Sequence, residues 1–269
     1  MSQTAIKERW WQTIHLEENH GQTWDFGCLE LNILRLAHEW QVRFNHIDIP
    51  LEAEQDEVKI IAENHNLTRF KTLKRFVVAQ TRSQLTITPV LPDRNIVVKP
   101  FDRIMLLPDE HITLYISIVL WYRINIYHDK VTLCQVPIRA LSDTWFGPNT
   151  QLGQLCYASK TRAVINKDLI SIKPYRGIIP VTIVNNQSQM LSIEKINIPA
   201  PTLELRYSQD GLLWTTGITL TQTKTKSEIK LSDPTNEYST NFSKWELINK
   251  AETSLEEGLM SKAYNTFFS

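Results

Sequence analysis

Three patterns in the sequence predict a mainly β protein, built from two antiparallel β-sandwich-like halves with a C-terminal amphipathic helix. Every even position from Ile112 to Ile126 is apolar or aromatic, which is the period of a β-strand that buries one face. Prolines punctuate many short apolar segments, as they do at strand starts, edges and turns. Only the last residues repeat apolar side chains every three or four positions, which is the period of a helix.

The composition is that of a globular protein, with 42% hydrophobic and 22% charged residues. A chain of 269 residues fits one large domain or two ordinary ones. Changes in patterning predict four segments. These are an N-terminal β domain over 1–140, a polar connecting motif over 141–163, an immunoglobulin-like C-terminal β domain over 164–242 and the helix over 243–269.

Charge and cysteine usage limit the possible partners and compartments. Lys plus Arg and Asp plus Glu both number 29, so the formal net charge is zero and no nucleic-acid partner is expected. Cys28, Cys134 and Cys156 are widely spaced and are predicted to be buried thiols in a reducing compartment. The N-terminal "MSQTAIKERWWQTIHLEEN" lacks a secretory apolar stretch, and no apolar run is long enough to span a membrane. We therefore expect a cytoplasmic protein.

The N-terminal half reads as a series of short strands. Apolar residues alternate in "CLELNILRL" and in "EWQVRF", and the short polar link over 37–39 indicates an antiparallel hairpin. Residues 52–66 favour helix by composition but also alternate at Val58, Ile60 and Ala62, and we interpret them as a strand. Further strands are predicted at "RFVVAQ", "QLTITPV", "NIVVKP", "RIMLLP" and "VTLCQVPI".

The long alternating run "ITLYISIVLWYRINIY" is the main indication of the fold class. Strands usually have about 3–10 residues, and this run is longer. We therefore predict a bend, a bulge or a division near Leu120 and Trp121.

The β pattern restarts after Lys173 and Pro174. Asp210-Gly211 separates two alternating segments and predicts a hairpin, because Gly tolerates the positive φ of a tight turn. In "LSIEKINI" the apolar phase shifts, which predicts a β-bulge. At the C-terminus, Ser243 and Glu246 fit a capping box, and the apolar period predicts an amphipathic helix from about Lys244 to Thr266. This helix would pack on a sheet or dock a partner.

Several phrases read together carry a family resemblance. "RFVVAQ", "PVLPDRNIVVKP", "ITLYISIVLWYRI", "LSDTWFG" followed by "GQLCYASKTRA", "PVTIVNN" and "IPAPTLEL" with "LLWT" resemble the uncharacterised prokaryotic proteins of domain-of-unknown-function family 432. The resemblance spans roughly Trp24 to Leu220. It implies continuity of the fold and transfers no catalytic residue.

The segment "LSDTWFGPNTQLGQLCYASKTRA", over 141–163, is the candidate functional site. We predict a ligand-binding group there, consisting of Asp143, Trp145, Tyr157, Lys160 and Arg162. If the segment around Lys160 and Arg162 is a strand, the two cations share one face and must be solvated, paired with carboxylates or holding an anion. The favoured interpretation is structural, with Asp143 to Arg162 as an internal brace between the two β halves. Ligand binding and catalysis are the alternatives.

Other motifs predict neither a cofactor nor a metal. The sequence has no GxGxxG, Walker A, GxSxG or HExxH motif, and its seven histidines have no cysteine partner at metal-ligand spacing. Eight tryptophans raise the question of carbohydrate stacking, although core packing is the usual role of an indole on a strand. Trp10 and Trp11 are predicted to be the exposed exceptions.

Three functional hypotheses follow from these observations. The first is a non-catalytic binding or interaction module with a protein partner. The second is a small-anion or sugar-phosphate binder that uses Asp143, Lys160 and Arg162. The third is an enzyme with an unrecognised site in which Asp143 acts as base. The missing motifs and the neutral charge favour the first hypothesis.

Overall fold

The computed structural model describes residues 9–62, 67–100, 102–147, 153–170, 172–224, 227–232 and 244–254. The predicted mainly β class is confirmed, and the helical segments in the described residues are short 3₁₀ helices at Leu51–Ala53, Leu67–Arg69, Lys167–Leu169 and Ala200–Thr202. The strands are β1 (Thr13–His15), β2 (Gly21–Asp25), β3 (Leu29–Arg35), β4 (Glu39–His46), β5 (Lys59–Ala62), β6 (Thr72–Val77), β7 (Gln84–Val90), β8 (Ile96–Pro100), β9 (Ile104–Leu106), β10 (His111–Val119), β11 (Trp121–Ile126), β12 (Val131–Pro137), β13 (Ser142–Phe146), β14 (Gln154–Val164), β15 (Arg176–Asn185), β16 (Leu191–Ile193), β17 (Ile196–Ile198), β18 (Leu205–Tyr207), β19 (Leu213–Thr215), β20 (Gly217–Gln222), β21 (Ser227–Ser232) and β22 (Glu246–Asn249).

The chain forms two compact units whose segments alternate along the sequence. Unit 1 comprises Met1–Val90, Leu120–Ala140 and Lys173–Tyr175. Unit 2 comprises Leu91–Val119, Leu141–Ile172 and Arg176–Ser269. The segment over 141–163, predicted as a connecting motif, supplies β13 and β14 to a sheet of unit 2. The domain limits at 140, 163 and 242 stay predictions.

Unit 1 contains two antiparallel sheets. A four-stranded sheet has the order β1-β7-β11-β12, and a five-stranded sheet has the order β5-β2-β3-β4-β6. The predicted hairpin of "CLELNILRL" and "EWQVRF" is confirmed as β3 and β4, with Leu31 opposite Phe44. The predicted strand within 52–66 is confirmed over β5, which pairs with β2. Residues 63–66 lie outside the described part of the chain.

An aromatic cluster joins the two sheets of unit 1. The ring of Trp24 on β2 lies 5.4 Å from the ring of Tyr122 on β11. Trp10 stacks on Tyr122 at 5.6 Å, and its indole N–H donates to the carbonyl of Pro174 at 2.8 Å. Trp10 and Trp11 are 1% and 9% exposed, so the prediction that they lie on the surface is wrong. The polar residues beside them in the sequence suggested exposure, but burial of a large aromatic ring in such a cluster is strongly stabilising.

Unit 2 is built around an eleven-stranded sheet. Its main path is β17-β8-β14-β10-β15-β19-β18-β22, and β13, β20 and β21 pair at its sides. At its centre β10 and β15 form a long antiparallel ladder, from His111 opposite Val184 to Val119 opposite Arg176. The pairs β8–β14, β15–β19 and β15–β20 are parallel, so this sheet is mixed and matches the predicted antiparallel arrangement only in part. Parallel partners are joined by long connections, which leave no turn signal in the sequence.

The long alternating run divides where the sequence predicts. β10 ends at Val119 in the eleven-stranded sheet, and β11 begins at Trp121 in the four-stranded sheet. The even positions Leu114 to Ile126 are all buried, which confirms the period-two assignment. The Asp210-Gly211 hairpin between β18 and β19 is also confirmed, with φ of +83° at Gly211.

Two local predictions are corrected. In "LSIEKINI" there is no bulge within one strand, because β16 pairs with β9 in a two-stranded sheet while β17 pairs with β8. The apolar phase shifts because the chain changes sheet. The C-terminal helix is wrong at its start, since Glu246–Asn249 forms β22 and pairs with β18. This pairing, with Trp245 packed 6.2 Å from Trp214, overrides the helical period. Residues 255–269 lie outside the described part.

In the described ranges, no helix combines the length and the apolar character that crossing a membrane requires. The helical segments there are single 3₁₀ turns of three residues.

The central strand β10 provides a direct test of this core. Ile116 is completely buried on β10, whereas Ile165 is 62% exposed just beyond β14. We expect Ile116→Ala to lower the free energy of unfolding by about 2–5 kcal/mol, because it leaves a cavity. The matched control Ile165→Ala should change it by less than about 0.5 kcal/mol. Urea unfolding followed by circular dichroism measures both, and equal midpoints for the two variants would contradict the assignment.

Candidate functional site

The segment predicted as the site folds as a hairpin of β13 and β14. Asp143 lies directly opposite Tyr157, and Trp145 lies directly opposite Leu155. Directly opposed residues of an antiparallel pair project to the same face of a sheet. The hairpin therefore brings three of the predicted residues, Asp143, Trp145 and Tyr157, together with Leu155 on one face.

The opposite face of the hairpin fixes its orientation. Phe146 and Cys156 are buried there and pack with Val97 of β8 in a small hydrophobic cluster. Because successive side chains of a strand point to opposite faces of the sheet, Asp143, Trp145 and Tyr157 lie on the face opposite this cluster. Trp145 and Leu155 are each 40% exposed.

Two residues from the loop before β8 complete the site. The Tyr157 hydroxyl donates a hydrogen bond to Asp93 Oδ1 at 2.9 Å. The guanidinium carbon of Arg94 lies 5.2 Å from the centre of the Tyr157 ring, and Arg94 Nη1 lies 3.4 Å from Asp143 Oδ1. We call Arg94, Asp143, Trp145, Leu155 and Tyr157 the β13–β14 face.

The Tyr157 phenol is held in its protonated form. Burial first, and then its hydrogen bond to the negatively charged Asp93, raise the pKa of Tyr157 to about 12. At neutral pH this hydroxyl is therefore a hydrogen-bond donor and not a base. The Arg94–Asp143 pair is largely exposed, and exposed ion pairs contribute at most about 1 kcal/mol. The pair therefore orients side chains more than it stabilises the fold.

The side chains of Lys160 and Arg162 lie outside the described part of the structure. Their backbone belongs to β14, where Arg162 is the register partner of Lys99 on β8, beyond a register shift that starts at Ala158. The cationic partner that the structure describes for Asp143 is Arg94. The brace from Asp143 to Arg162 and the anion site at these residues both stay predictions.

Asp93 and Arg94 are the site residues that sequence reasoning missed. They lie in the quoted phrase "PVLPDRNIVVKP", between a proline and a predicted strand, where a polar pair indicates only a turn. They reach Tyr157 because β8 pairs with β14 in parallel, with Ile96 opposite Tyr157. A hydrogen bond from the Tyr157 amide to the Asn95 carbonyl at 2.8 Å closes this connection.

Metal-binding clusters and reactive thiols are two further kinds of site that the described ranges could contain. These ranges contain no group of three or more His, Cys, Asp or Glu side chains placed to hold a metal ion. None of the three cysteines, all in the described ranges, forms a disulfide, and Cys28 and Cys156 are buried as predicted. Cys134 is half-buried, and its burial raises the pKa of its thiol to about 11. A thiol with such a pKa is almost entirely protonated at neutral pH, which makes it a poor nucleophile.

The fold and the site define a mainly β protein with an exposed aromatic and charged face on one hairpin. The model of the family described as "Protein of unknown function (DUF432)" matches residues 10–268, nearly the whole chain. The chain belongs to this family, which confirms the resemblance drawn from its sequence motifs. Searches of the curated proteins and of the solved structures found no match.

The raised pKa of Tyr157 can be measured directly. Because only Tyr157 is lost in Tyr157→Phe, the difference between the tyrosinate absorbance titrations of the wild type and this variant isolates its ionisation. We expect a midpoint of about 12. Asp93→Asn should move it toward the ordinary value near 10, because it removes the negative charge beside the phenol.

The raised pKa of Tyr157 also determines how this residue affects the stability of the fold as the pH changes. The unfolded chain loses this proton near pH 10 and the folded chain near pH 12, so the contribution of Tyr157 is present below pH 10 and lost as the pH rises toward 12. A wild-type midpoint near 10 in the difference titration would contradict the described environment.

Proposed function

We propose that this chain is a non-catalytic cytoplasmic binding module that docks a protein partner on the β13–β14 face. The observation that carries the proposal is the pair of Trp145 and Leu155, which lie side by side on two hydrogen-bonded strands and are each 40% exposed. Single exposed apolar residues are common, but apolar side chains that lie next to each other at the surface form a patch, and such patches mark interaction sites.

The composition of the face supports a protein partner. Trp and Arg are among the residues that contribute most to binding energy in protein interfaces, and this face exposes Trp145 and Arg94 beside the buried Tyr157. Arg94 and Asp143 lie beside the apolar pair and supply one positive and one negative group to a polar rim. Because the opposite charges of Arg94 and Asp143 cancel, the face favours a partner surface of mixed charge over a strongly acidic or basic one.

The edge of β13 suggests how the partner is held. Among the described strands, β13 pairs with β14 alone, so its other edge offers backbone N–H and C=O groups. An extended partner segment adds to such an edge by main-chain hydrogen bonds and places alternate side chains over the face. We infer a partner that presents an extended segment with an apolar side chain against Trp145 and Leu155.

The geometry gives little support to catalysis. An enzyme with Asp143 as base needs a carboxylate in a tuned, partly enclosed environment beside a reacting group. Asp143 is mostly exposed and faces Arg94, and the neighbouring Tyr157 keeps its proton at neutral pH.

The second candidate function remains a small-anion or sugar-phosphate binder at Asp143, Lys160 and Arg162. One observation favours it, which is the register of Arg162 with Lys99 on the neighbouring strand. That register places three basic residues, Lys99, Lys160 and Arg162, at nearby positions of one strand pair. Phosphate titrations of the wild type and of the Lys160→Ala/Arg162→Ala double variant test this candidate, which predicts that the double variant loses binding.

Partner docking predicts a specific effect of Trp145→Ala. The tagged protein is incubated with native lysate, and recovered proteins are quantified by mass spectrometry for the wild type, Trp145→Ala and a control. Leu169→Ala is the matched control because Leu169 is a large apolar residue, 71% exposed, outside the face. Loss of a central interface tryptophan costs about 2 kcal/mol or more, so recovery of the partner should fall about 30-fold.

The outcome depends on the comparison between variants. A protein recovered by the wild type and by Leu169→Ala, but lost with Trp145→Ala, supports the proposal. If every protein that the wild type recovers is recovered equally by Trp145→Ala, the β13–β14 face is not the docking site.

A further inference from the structure

Unit 1 contains a cavity that is separate from the β13–β14 face. It has a volume of about 650 Å³. One side is the connection between β6 and β7, and the other is the turn between β11 and β12. The lining residues are Ala79, Gln80, Thr81, Arg82, Tyr127, His128 and Lys130. Cavities that take small ligands commonly have volumes of about 300–1,000 Å³.

The first side of the cavity is held rigidly. Thr81 is buried, its hydroxyl donates to the carbonyl of Leu36 at 2.7 Å, and it accepts a hydrogen bond from Arg35 Nε at 2.9 Å. Arg35 Nη2 also donates to the Thr81 carbonyl at 3.0 Å. These hydrogen bonds to residues at the turn between β3 and β4 hold the backbone at Thr81, the residue before Arg82.

The second side is a turn of unusual backbone conformation. Tyr127, His128 and Asp129 are consecutive non-glycine residues with φ of 56°, 55° and 64°. Left-handed backbone costs free energy in residues that carry a Cβ, and such conformations are concentrated at ligand clamps and active sites. In this conformation the turn contributes Tyr127, His128 and Lys130 to the cavity lining, whereas Asp129 is not among the lining residues.

The charges that line the cavity are of one sign. Arg82 and Lys130 are basic residues, and the lining contains no carboxylate. No ion pair in the described residues involves Arg82, His128 or Lys130, whereas elsewhere in this unit Arg69, Arg75 and Arg139 each pair with a glutamate. The guanidinium carbon of Arg82 lies 5.3 Å from the centre of the Tyr127 ring, which restrains its orientation.

We propose that this cavity binds a small organic phosphate. An Arg fork and a Lys ammonium in one cavity lining that contains no carboxylate suit a phosphate group, which the fork can hold by paired hydrogen bonds. The Gln80 amide supplies a further polar group in the lining. The volume leaves room for an organic body such as a sugar or a nucleoside beside Tyr127. The cations are exposed, so the affinity depends on ionic strength.

The test is a calorimetric titration of the full-length protein at fixed ionic strength. The probes are inorganic phosphate, glucose 6-phosphate and AMP, with glucose and adenosine as the controls that lack phosphate. We expect at least one organic phosphate to bind and to raise the melting temperature, because a ligand of the folded state stabilises it by mass action. The controls without phosphate should do neither.

Variants assign the binding to this cavity. Arg82→Ala and Lys130→Ala should each weaken binding about tenfold or more, since each removes a charged hydrogen-bond donor. Both residues are exposed, and circular dichroism verifies that each variant is folded. The Lys160→Ala/Arg162→Ala double variant should bind the probe as the wild type does. Trp145→Ala should also bind it normally, which separates this site from the docking face.

Three results would overturn the proposal. One is that none of the phosphate probes binds, and another is that binding persists unchanged in both Arg82→Ala and Lys130→Ala. The third is that the Lys160→Ala/Arg162→Ala double variant abolishes binding while Arg82→Ala and Lys130→Ala do not. This last result would place the anion site on β14 and support the second candidate function.

Discussion

The structure depends on two consecutive strands, β10 and β11, which together span His111 to Ile126 and are buried in two different sheets. β10 pairs with both β14 and β15 in the eleven-stranded sheet, and β11 pairs with both β7 and β12 in the four-stranded sheet. The even positions from Leu114 onward are buried in both strands. Since apolar area removed from water is the largest favourable contribution to folding, these two strands supply interior to each unit.

The candidate site follows from the strands that surround β10 and β11. β14 joins β10 through the pairs Tyr115–Val164 and Ile116–Ala163, and its other part holds β13 on one side and β8 on the other. β13 carries Trp145 and Asp143, and the loop before β8 carries Asp93 and Arg94. The face thus stands on a rigid sheet, which lowers the entropy lost on binding a partner. The cavity of unit 1 instead lies between two connections, one of which is held by the hydrogen bonds of Thr81.

Local patterns in the sequence were sufficient for the features that depend on neighbours along the chain. Period two identified β10 and β11, and the excessive length of the run predicted the division at Leu120. The pairing of Asp143 with Tyr157 was not predicted, although it lies within one hairpin. Features that depend on distant residues could not be predicted, because parallel pairing of β8 with β14 leaves no turn signal. This pairing explains the missed Asp93 and Arg94. The strand at Glu246–Asn249 and the burial of Trp10 likewise depend on partners distant in the sequence, which are β18 for the strand and Tyr122 for the tryptophan.

The rate of amide hydrogen exchange along His111–Ile126 tests most directly whether β10 and β11 are interior strands of their two sheets. The Leu120 amide, between the two strands, donates to the Tyr175 carbonyl at 3.0 Å, so protection should continue across the division. We expect the amides of Leu114 to Ile124 to be among the slowest to exchange, and those of the edge strand β5 to exchange much faster. Exchange within β10 or β11 as fast as within β5 would contradict the account.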